Sequence, residues 1–283
     1  MKAKHVIIYL LLVIVTSSCI RDEAPNAEAD ILSCRLLGIT MTTSPIINNN
    51  SVTLFVTPGT NISALAPEFT LTSGATITPA SGTERNFNSP QEYQVTAADG
   101  IWKKTYAISV IDTELATIYN FEDTISGKKY YIFVERENDK VIMEWASGNA
   151  GYAMPGVAKT ADDYPTFQIA NGKNGKCLSL VTRSTGFFGG LVGMPIAAGN
   201  LFIGSFDVNN AMSNPLQATK FGLPFRHVPT YLAGYYKYKA GDQFTEGGKP
   251  VEGKRDICDI YAIMYETSVS VPTLDGTNAF TSP

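Results

Sequence analysis

The chain has 283 residues, of which 17% are charged, and a formal net charge of −4 at pH 7. This acidic balance argues against nucleic acid as a partner, because nucleic-acid binding relies on clustered lysine and arginine side chains. The low share of charged residues and the abundance of Ser, Thr, Asn and Gly favour a secreted β-protein over a helical cytosolic enzyme.

The N-terminus, "MKAKHVIIYLLLVIVTSSC", combines two lysines, an apolar run from Val6 to Val15 and small residues before Cys19. The run is shorter than the about 20 residues that a membrane-spanning helix needs. We therefore predict a signal peptide over residues 1–18 that ends at a lipidated Cys19. The Thr-Ser-Ser before the cysteine resembles the bacterial lipobox, although Thr16 replaces its usual aliphatic residue. Removing residues 1–18 removes two lysines and changes the formal charge from −4 to −6.

Residues 19–30 are interpreted as a lipidated tether, because "IRDEAPNAEA" shows no apolar periodicity. Its first part, "IRDEA", resembles the signal that sends some lipoproteins of Gram-negative gut bacteria to the outside of the cell. A solvated charged linker is the alternative interpretation. The sequence thus predicts an outer-membrane lipoprotein exposed at the cell surface and held in the membrane by its acyl group.

Residues 31–112 show the two-residue period of strands. In "SVTLFVTPGT" Val52, Leu54 and Val56 alternate with Thr53, Phe55 and Thr57, and "EYQVTAADGIWKKTYAISV" predicts a hairpin that turns at Asp99-Gly100. Several short strands with Gly, Pro and Asn between them indicate an Ig-like β-sandwich. The stretch also resembles an Ig-like module found near the N-terminus of surface lipoproteins and polysaccharide-utilisation proteins.

The strand pattern breaks between Asp112 and Ala116, where we place the domain boundary, and resumes over residues 117–283. "KKYYIFVEREN" and "DKVIMEWAS" predict a hairpin, "GNLFIGSFDV" a strand, and "DICDIYAIMYETSVSV" a long strand with apolar residues on both faces. The whole chain is therefore predicted to be all-β.

Four stretches of this second region carry a family resemblance: "NFED", "WASGNAG", "FGLPFRHVPTYLAGYYKYKAG" and "DICDIYAIMYE". Together they resemble the putative carbohydrate metabolism domain of bacterial surface lipoproteins. The resemblance implies a β-jelly-roll after an Ig-like domain, with a sugar pocket and a role as a glycan binder or glycoside hydrolase. Two features depart from the pattern: Thr124 follows the first motif where an aromatic is expected, and "NAFTSP" ends the chain early, which points to an incomplete domain.

Hydrolysis of glycosides usually needs two carboxylates that face one bond. The sequence does not select a pair, but Glu144 beside Trp145 and Glu266 after Tyr265 are the catalytic candidates, because a neighbouring aromatic raises the pKa of a carboxyl by desolvation. The G-x-S-x-G, H-E-x-x-H and P-loop motifs are absent, and His227 is the only histidine after Cys19.

Sugar binding combines flat aromatic rings with planar or charged hydrogen-bonding groups. The candidates with this combination are Trp145, Arg183, Arg226, Tyr235, Tyr236 and Lys237. If the tyrosine-rich run is a regular strand, alternation places Tyr236 and Tyr238 on one face and Tyr235 and Lys237 on the other. One of these faces then packs in the core.

The cysteines other than Cys19 are Cys34, Cys177 and Cys258, whose spacing argues against a zinc or iron–sulfur site. No cofactor is predicted, although Glu122 and Asp123 are candidate ligands of a structural calcium ion, or else two ordinary acids at the end of a strand. We therefore predict a surface-anchored glycan-binding protein. A glycoside hydrolase with an unidentified carboxylate pair and an adhesin are the alternatives.

Overall fold

The computed structural model describes residues 25–246, 249–268 and 271–279. Strands dominate it, and each α-helix has four to six residues, which confirms the predicted all-β class. No described helix is long and apolar enough to cross a membrane.

The N-terminal domain is built from two sheets. Its strands are β1 (Ile31–Leu36), β2 (Ile46–Ile47), β3 (Ser51–Phe55), β4 (Pro67–Leu71), β5 (Thr76–Thr78), β6 (Gln91–Thr96) and β7 (Lys103–Ile111). The smaller sheet pairs β1 with β4, and the larger has the order β2-β3-β7-β6-β5, in which β3 and β7 run parallel.

Alternating residues of these strands fill one core. Val52 and Leu54 of β3 are fully buried, together with Val95 of β6 and Ile108 of β7, as expected for strands with one face inward. The predicted hairpin between β6 and β7 is formed, and the carboxylate of Asp99 accepts hydrogen bonds from backbone N–H groups in its turn.

The last residues of the predicted tether belong to this domain. Lys104 Nζ lies 2.5 Å from Asp30 Oδ1, to which the hydroxyl of Tyr106 also donates, at 3.0 Å. The pKa of Asp30 is lowered, and the hydrogen bond from Lys104 is the largest cause. Ala29 is buried beside it, so the packed chain begins before β1.

The second region consists of short sheets and helices. Its strands are β8 (Val134–Glu137), β9 (Lys140–Glu144), β10 (Thr166–Ile169), β11 (Cys177–Leu180), β12 (Arg183–Ser184), β13 (Ile196–Ala197), β14 (Gly204–Phe206), β15 (Thr219–Phe221), β16 (Thr245–Glu246), β17 (Lys249–Pro250) and β18 (Leu274–Asp275). Its helices are α1 (Asn149–Tyr152), α2 (Gly186–Leu191), α3 (Val208–Ser213) and α4 (Pro215–Ala218), with a 3-10 helix at Ala161–Asp163.

These strands pair mainly as neighbours in sequence. The pairs are β8-β9, β10-β11, β12-β13 and β16-β17, and β14-β15-β18 form a three-stranded sheet. The hairpin of β8 and β9 was expected from sequence, whereas a jelly-roll order of the strands stays a prediction.

The long strand expected from sequence over residues 256–271 is not formed in the part that the structure describes. The described residues of 251–268 have no regular strand, and several of their apolar side chains, such as Ile257 and Ile260, are exposed. A strand requires a hydrogen-bonded neighbour, which alternation along a single segment cannot provide.

The core of the N-terminal domain gives a stability test. Leu54→Ala removes a fully buried side chain and should lower the free energy of unfolding by about 2–5 kcal/mol, because it leaves a cavity. Chemical denaturation followed by tyrosine fluorescence measures the change. Ile101→Ala, at a side chain that is 77% exposed, is the control and should stay within about 0.5 kcal/mol of wild type. Equal effects of the two substitutions would contradict the assigned core.

Candidate functional site

The candidate site is built on the hairpin of β8 and β9. Trp145 directly follows β9, and its backbone N–H donates to the carbonyl of Phe133 at 2.9 Å. Its indole N–H donates to Glu135 Oε1 at 2.8 Å, so the two side chains share one face of the hairpin. Glu144 lies between Met143 and Trp145 and points to the opposite face by alternation.

Three aromatic rings surround this contact. The rings of Tyr119 and Trp145 are 5.0 Å apart in an edge-to-face arrangement, and those of Phe121 and Trp145 are 5.5 Å apart. Phe121 also meets Phe133 edge to face at 6.2 Å. Tyr119, Phe121 and Trp145 are each half-buried, so the cluster keeps part of its surface open to solvent.

The backbone of Phe121 is held in an unusual conformation. Its φ is 56°, in the left-handed region, which costs a non-glycine residue on the order of 1–3 kcal/mol. The side-chain amide of Gln168 donates to the carbonyls of Phe121 at 2.7 Å and of Glu122 at 3.0 Å. These bonds hold the turn that places the Phe121 ring against Trp145.

Glu122 holds a neighbouring loop. Its Oε1 accepts a hydrogen bond from the backbone N–H of Lys176 at 2.9 Å, and its carboxylate lies against Gly175, where a Cβ would be 2.2 Å from Oε1. Asp123 is exposed. Among the described residues no group of three or more His, Cys, Asp and Glu side chains is placed to hold a metal ion. The calcium site at Glu122 and Asp123 stays untested.

Glu135 is the carboxyl group of the aromatic cluster. Burial raises its pKa, the hydrogen bond from Trp145 opposes this, and the charge of Asp123 adds to the increase. A half-buried carboxyl beside open aromatic surface can hydrogen-bond a hydroxyl in either protonation state.

Glu144, one of the two predicted catalytic residues, faces a separate cluster. Although Glu144 is exposed, desolvation by the surrounding protein raises its pKa, opposed by the charge of Lys128. Tyr130 lies within electrostatic range of Glu144, because burial first and then the charge of Glu144 raise the pKa of Tyr130. Tyr130 packs on Tyr164 at 5.1 Å, and Tyr164 packs on Tyr152 at 5.7 Å.

The predicted arginines contact residues outside the Trp145 cluster. Arg183 Nη2 donates to the carbonyl of Asp162 at 3.0 Å, and its guanidinium lies 5.5 Å from the ring centre of Phe167. Arg226 lines a shallow cleft against the N-terminal domain, with Nε 4.0 Å from Glu114 Oε1. The structure therefore gives each arginine a protein contact of its own.

The tyrosine-rich run is at the surface. Tyr235, Tyr236 and Lys237 are exposed, as is Glu266, the other predicted catalytic residue. Lys173 Nζ lies 4.2 Å from the ring centre of Tyr235. Of the predicted residues, the structure assembles only Trp145 into an aromatic and carboxylate site.

Sequence reasoning missed Tyr119, Phe121 and Glu135 as site residues. Phe121 lies in the "NFED" motif, so the family resemblance already pointed to this position. Glu135 could be found by writing the two strands of the predicted hairpin side by side, because Trp145 and Glu135 then fall diagonally on one face.

Comparisons with known proteins agree on carbohydrate-related relatives. Residues 120–283 match the family described as Putative carbohydrate metabolism domain, and residues 31–110 match SGBP, N-terminal. The chain is 84% identical to a putative glycoside hydrolase from Bacteroides thetaiotaomicron VPI-5482 of known crystal structure. That match has a TM-score of 0.87 and covers 93% of this chain and 77% of the other.

A putative glycoside hydrolase from Bacteroides vulgatus ATCC 8482 is 48% identical. Its match has a TM-score of 0.52 and covers 58% of this chain and 65% of that one. No curated protein matches the chain.

The contact between Trp145 and Glu135 predicts a pKa change. Trp145→Phe keeps an aromatic ring but removes the N–H donor that lowers the pKa of Glu135, so this pKa should rise further. Carboxyl ¹³C NMR titration measures it. Tyr119→Phe is the matched control, because it removes a hydroxyl from the same cluster and keeps the indole donor. An unchanged pKa in Trp145→Phe would show that the hydrogen bond is not formed in solution.

Proposed function

Because this chain belongs to the putative carbohydrate metabolism domain family, we propose that it binds glycans at the cluster of Tyr119, Phe121, Glu135 and Trp145. The family is the one expected from the sequence motifs, and it gives the chain a glycan-related role. The observation that carries the proposal is the half-buried Trp145 ring, whose N–H is fixed on a carboxylate among open aromatic surfaces.

The chemistry of this cluster suits a pyranose. One face of the sugar is a set of C–H groups that can stack on the Trp145 ring, while its hydroxyl rim can hydrogen-bond Glu135. The indole occupies Glu135 Oε1, and Oε2 is the oxygen that we assign to a sugar hydroxyl. Glu135 lies on β8, and Trp145 directly follows the paired strand β9. The hairpin therefore orients both side chains before the ligand arrives.

Hydrolysis is the second candidate, and the proximity of Asp123 to Glu135 favours it. The backbone N–H of Val134 donates to the carbonyl of Asp123 at 3.1 Å, which places the two acids on adjacent segments. Glu135, whose pKa is raised, would act as the acid and Asp123 as the base or nucleophile. In this scheme Glu135 takes the catalytic role that was predicted for Glu144, which lies on the other face of the hairpin.

A glycan array with product analysis tests both candidates. We expect the purified protein to bind one class of glycans, and Trp145→Ala to weaken that binding roughly tenfold or more through lost stacking. Trp102→Ala is the matched control, since the other tryptophan of the chain is exposed on the N-terminal domain, and it should bind as wild type does.

Each result of this experiment favours one function. Binding without cleavage supports glycan capture. Release of shortened products by wild-type protein and not by Glu135→Gln supports hydrolysis. Folded protein that binds no glycan contradicts both and favours the adhesin.

The proposed location is the cell surface, with a lipid on Cys19. Cys19 and the signal sequence lie outside the described residues, so the proposal rests on the sequence pattern. The SGBP match supports it, since SGBP denotes surface glycan-binding proteins. A single acyl chain binds membranes only weakly, and stable anchoring requires a second chain or another contact.

Lipidation is tested by metabolic labelling with a fatty acid in the native host. Wild-type protein should incorporate the label, and its N-terminal peptide should begin at a modified Cys19. Cys19→Ser should lose the label, whereas Cys177→Ser, at another free cysteine, should keep it. Label retained by Cys19→Ser would contradict the anchor.

A further inference from the structure

Two segments on either side of β16 and β17 have no assigned strand but contain many apolar residues. We call residues 231–244 the first arm and residues 251–264 the second arm. The arms carry exposed Tyr235, Tyr236, Ile257 and Ile260, and such a concentration of exposed apolar surface requires a covering partner.

The short ladder between β16 and β17 defines a register for the arms. Thr245 is opposite Pro250 and Glu246 is opposite Lys249, and the backbone N–H of Val251 donates to the carbonyl of Phe244 at 2.9 Å. This last bond continues the ladder by one pair into both arms. Antiparallel pairing fixes all further pairs once one pair is known.

Continued along the arms, this register matches the side chains. The opposite residues from position 239 to position 232 are Lys239 with Asp256, Tyr238 with Ile257, Lys237 with Cys258, Tyr236 with Asp259, Tyr235 with Ile260, Gly234 with Tyr261, Ala233 with Ala262 and Leu232 with Ile263. Lys239 and Asp256 carry opposite charges, which is favourable for residues that face each other across two strands. The apolar pairs, such as Tyr238 with Ile257, combine aromatic and β-branched residue types that are common in neighbouring strands. The pKa of Tyr238 is raised by desolvation and then by the charges of Asp256 and Cys258, so this part of the first arm lies within electrostatic range of the second.

A chain of contacts links Tyr235, in the first arm, to the Trp145 cluster. Tyr235 lies under Lys173, which belongs to the loop that Glu122 holds through Lys176. Glu122 follows Phe121, whose ring contacts Trp145.

We propose that the two arms close into one antiparallel hairpin in the register of β16 and β17, and that its face with Tyr235 and Lys237 is a second sugar subsite beside Trp145. The opposite face carries Tyr236 and Tyr238 and packs away from the ligand. The ring of Tyr235 stacks on a further sugar unit, and the ammonium of Lys237 donates to its hydroxyl groups. The subsite rests on the proposed function, whereas the hairpin does not.

A disulfide tests the register. Because Phe244 and Val251 form a hydrogen-bonded pair, Lys237 and Cys258 form a non-hydrogen-bonded pair, with Cα atoms about 4.5 Å apart, within the range for a disulfide. In Lys237→Cys, oxidised glutathione takes two electrons and two protons from the thiols of residues 237 and 258 and becomes two reduced glutathione molecules.

Peptide mapping of the full-length protein should recover the bond between residues 237 and 258 in Lys237→Cys. The control is Tyr236→Cys, whose side chain faces Asp259 on the other side of the hairpin and should form no bond with Cys258. Absence of the bond in Lys237→Cys, or equal yields in the two variants, would overturn the hairpin.

The subsite has its own test with a bound oligosaccharide from the array. Tyr235→Ala should weaken binding roughly three- to tenfold, whereas Trp102→Ala, at the exposed tryptophan of the N-terminal domain, should leave it unchanged. If the disulfide forms but Tyr235→Ala binds as wild type does, the hairpin is supported and the subsite is overturned. Loss of binding in Trp145→Ala is a separate result that concerns the proposed function alone.

Discussion

The alternation of side chains along the paired strands β8 and β9 is the constraint on which the candidate site depends. It places Glu135 and Trp145 on one face of the hairpin and Glu144 on the other. Burial raises the pKa of both carboxyls, so a raised pKa alone does not distinguish them. Their surroundings do, because Glu135 accepts a hydrogen bond from the Trp145 indole among half-buried aromatic rings, whereas Glu144 lies on the other face, within electrostatic range of Tyr130.

The N-terminal domain supports this hairpin from its end. The parallel pair β3-β7 carries the chain out of the domain core at Ile111, and the next residue, Asp112, binds Lys140 Nζ at 2.6 Å. Lys140 is the first residue of β9, the strand that leads to Trp145. Such a partly exposed ion pair contributes only about 0–1 kcal/mol to stability. Its effect is therefore mainly to orient β9 relative to the preceding domain.

Sequence periodicity predicts the elements whose partner is near in the chain, as in the hairpins β6-β7 and β8-β9. It does not predict the φ of Phe121, because Gln168 holds that conformation from 47 positions away. Trp145 could be predicted as a candidate site residue because its chemistry is visible in its type. Glu135 is not visible in its type and is found only when the two strands of the predicted hairpin are written in register. The segment 256–271 shows the same limit, because its apolar pattern is compatible with a strand but does not identify a neighbour.

The two proposed functions, glycan binding and hydrolysis, would both use the Glu135 carboxyl and its hydrogen bond with Trp145. The indole N–H favours the ionised carboxylate, and burial favours the protonated acid. A sugar ring stacked on Trp145 would remove further water from Glu135 and shift this balance towards the acid. In the proposed binding mode, the contact that holds the sugar would therefore also keep a larger fraction of Glu135 protonated and able to donate to the glycosidic oxygen. Cleavage would additionally require Asp123, on the opposite side of the sugar, to reach the anomeric carbon or a water molecule beside it.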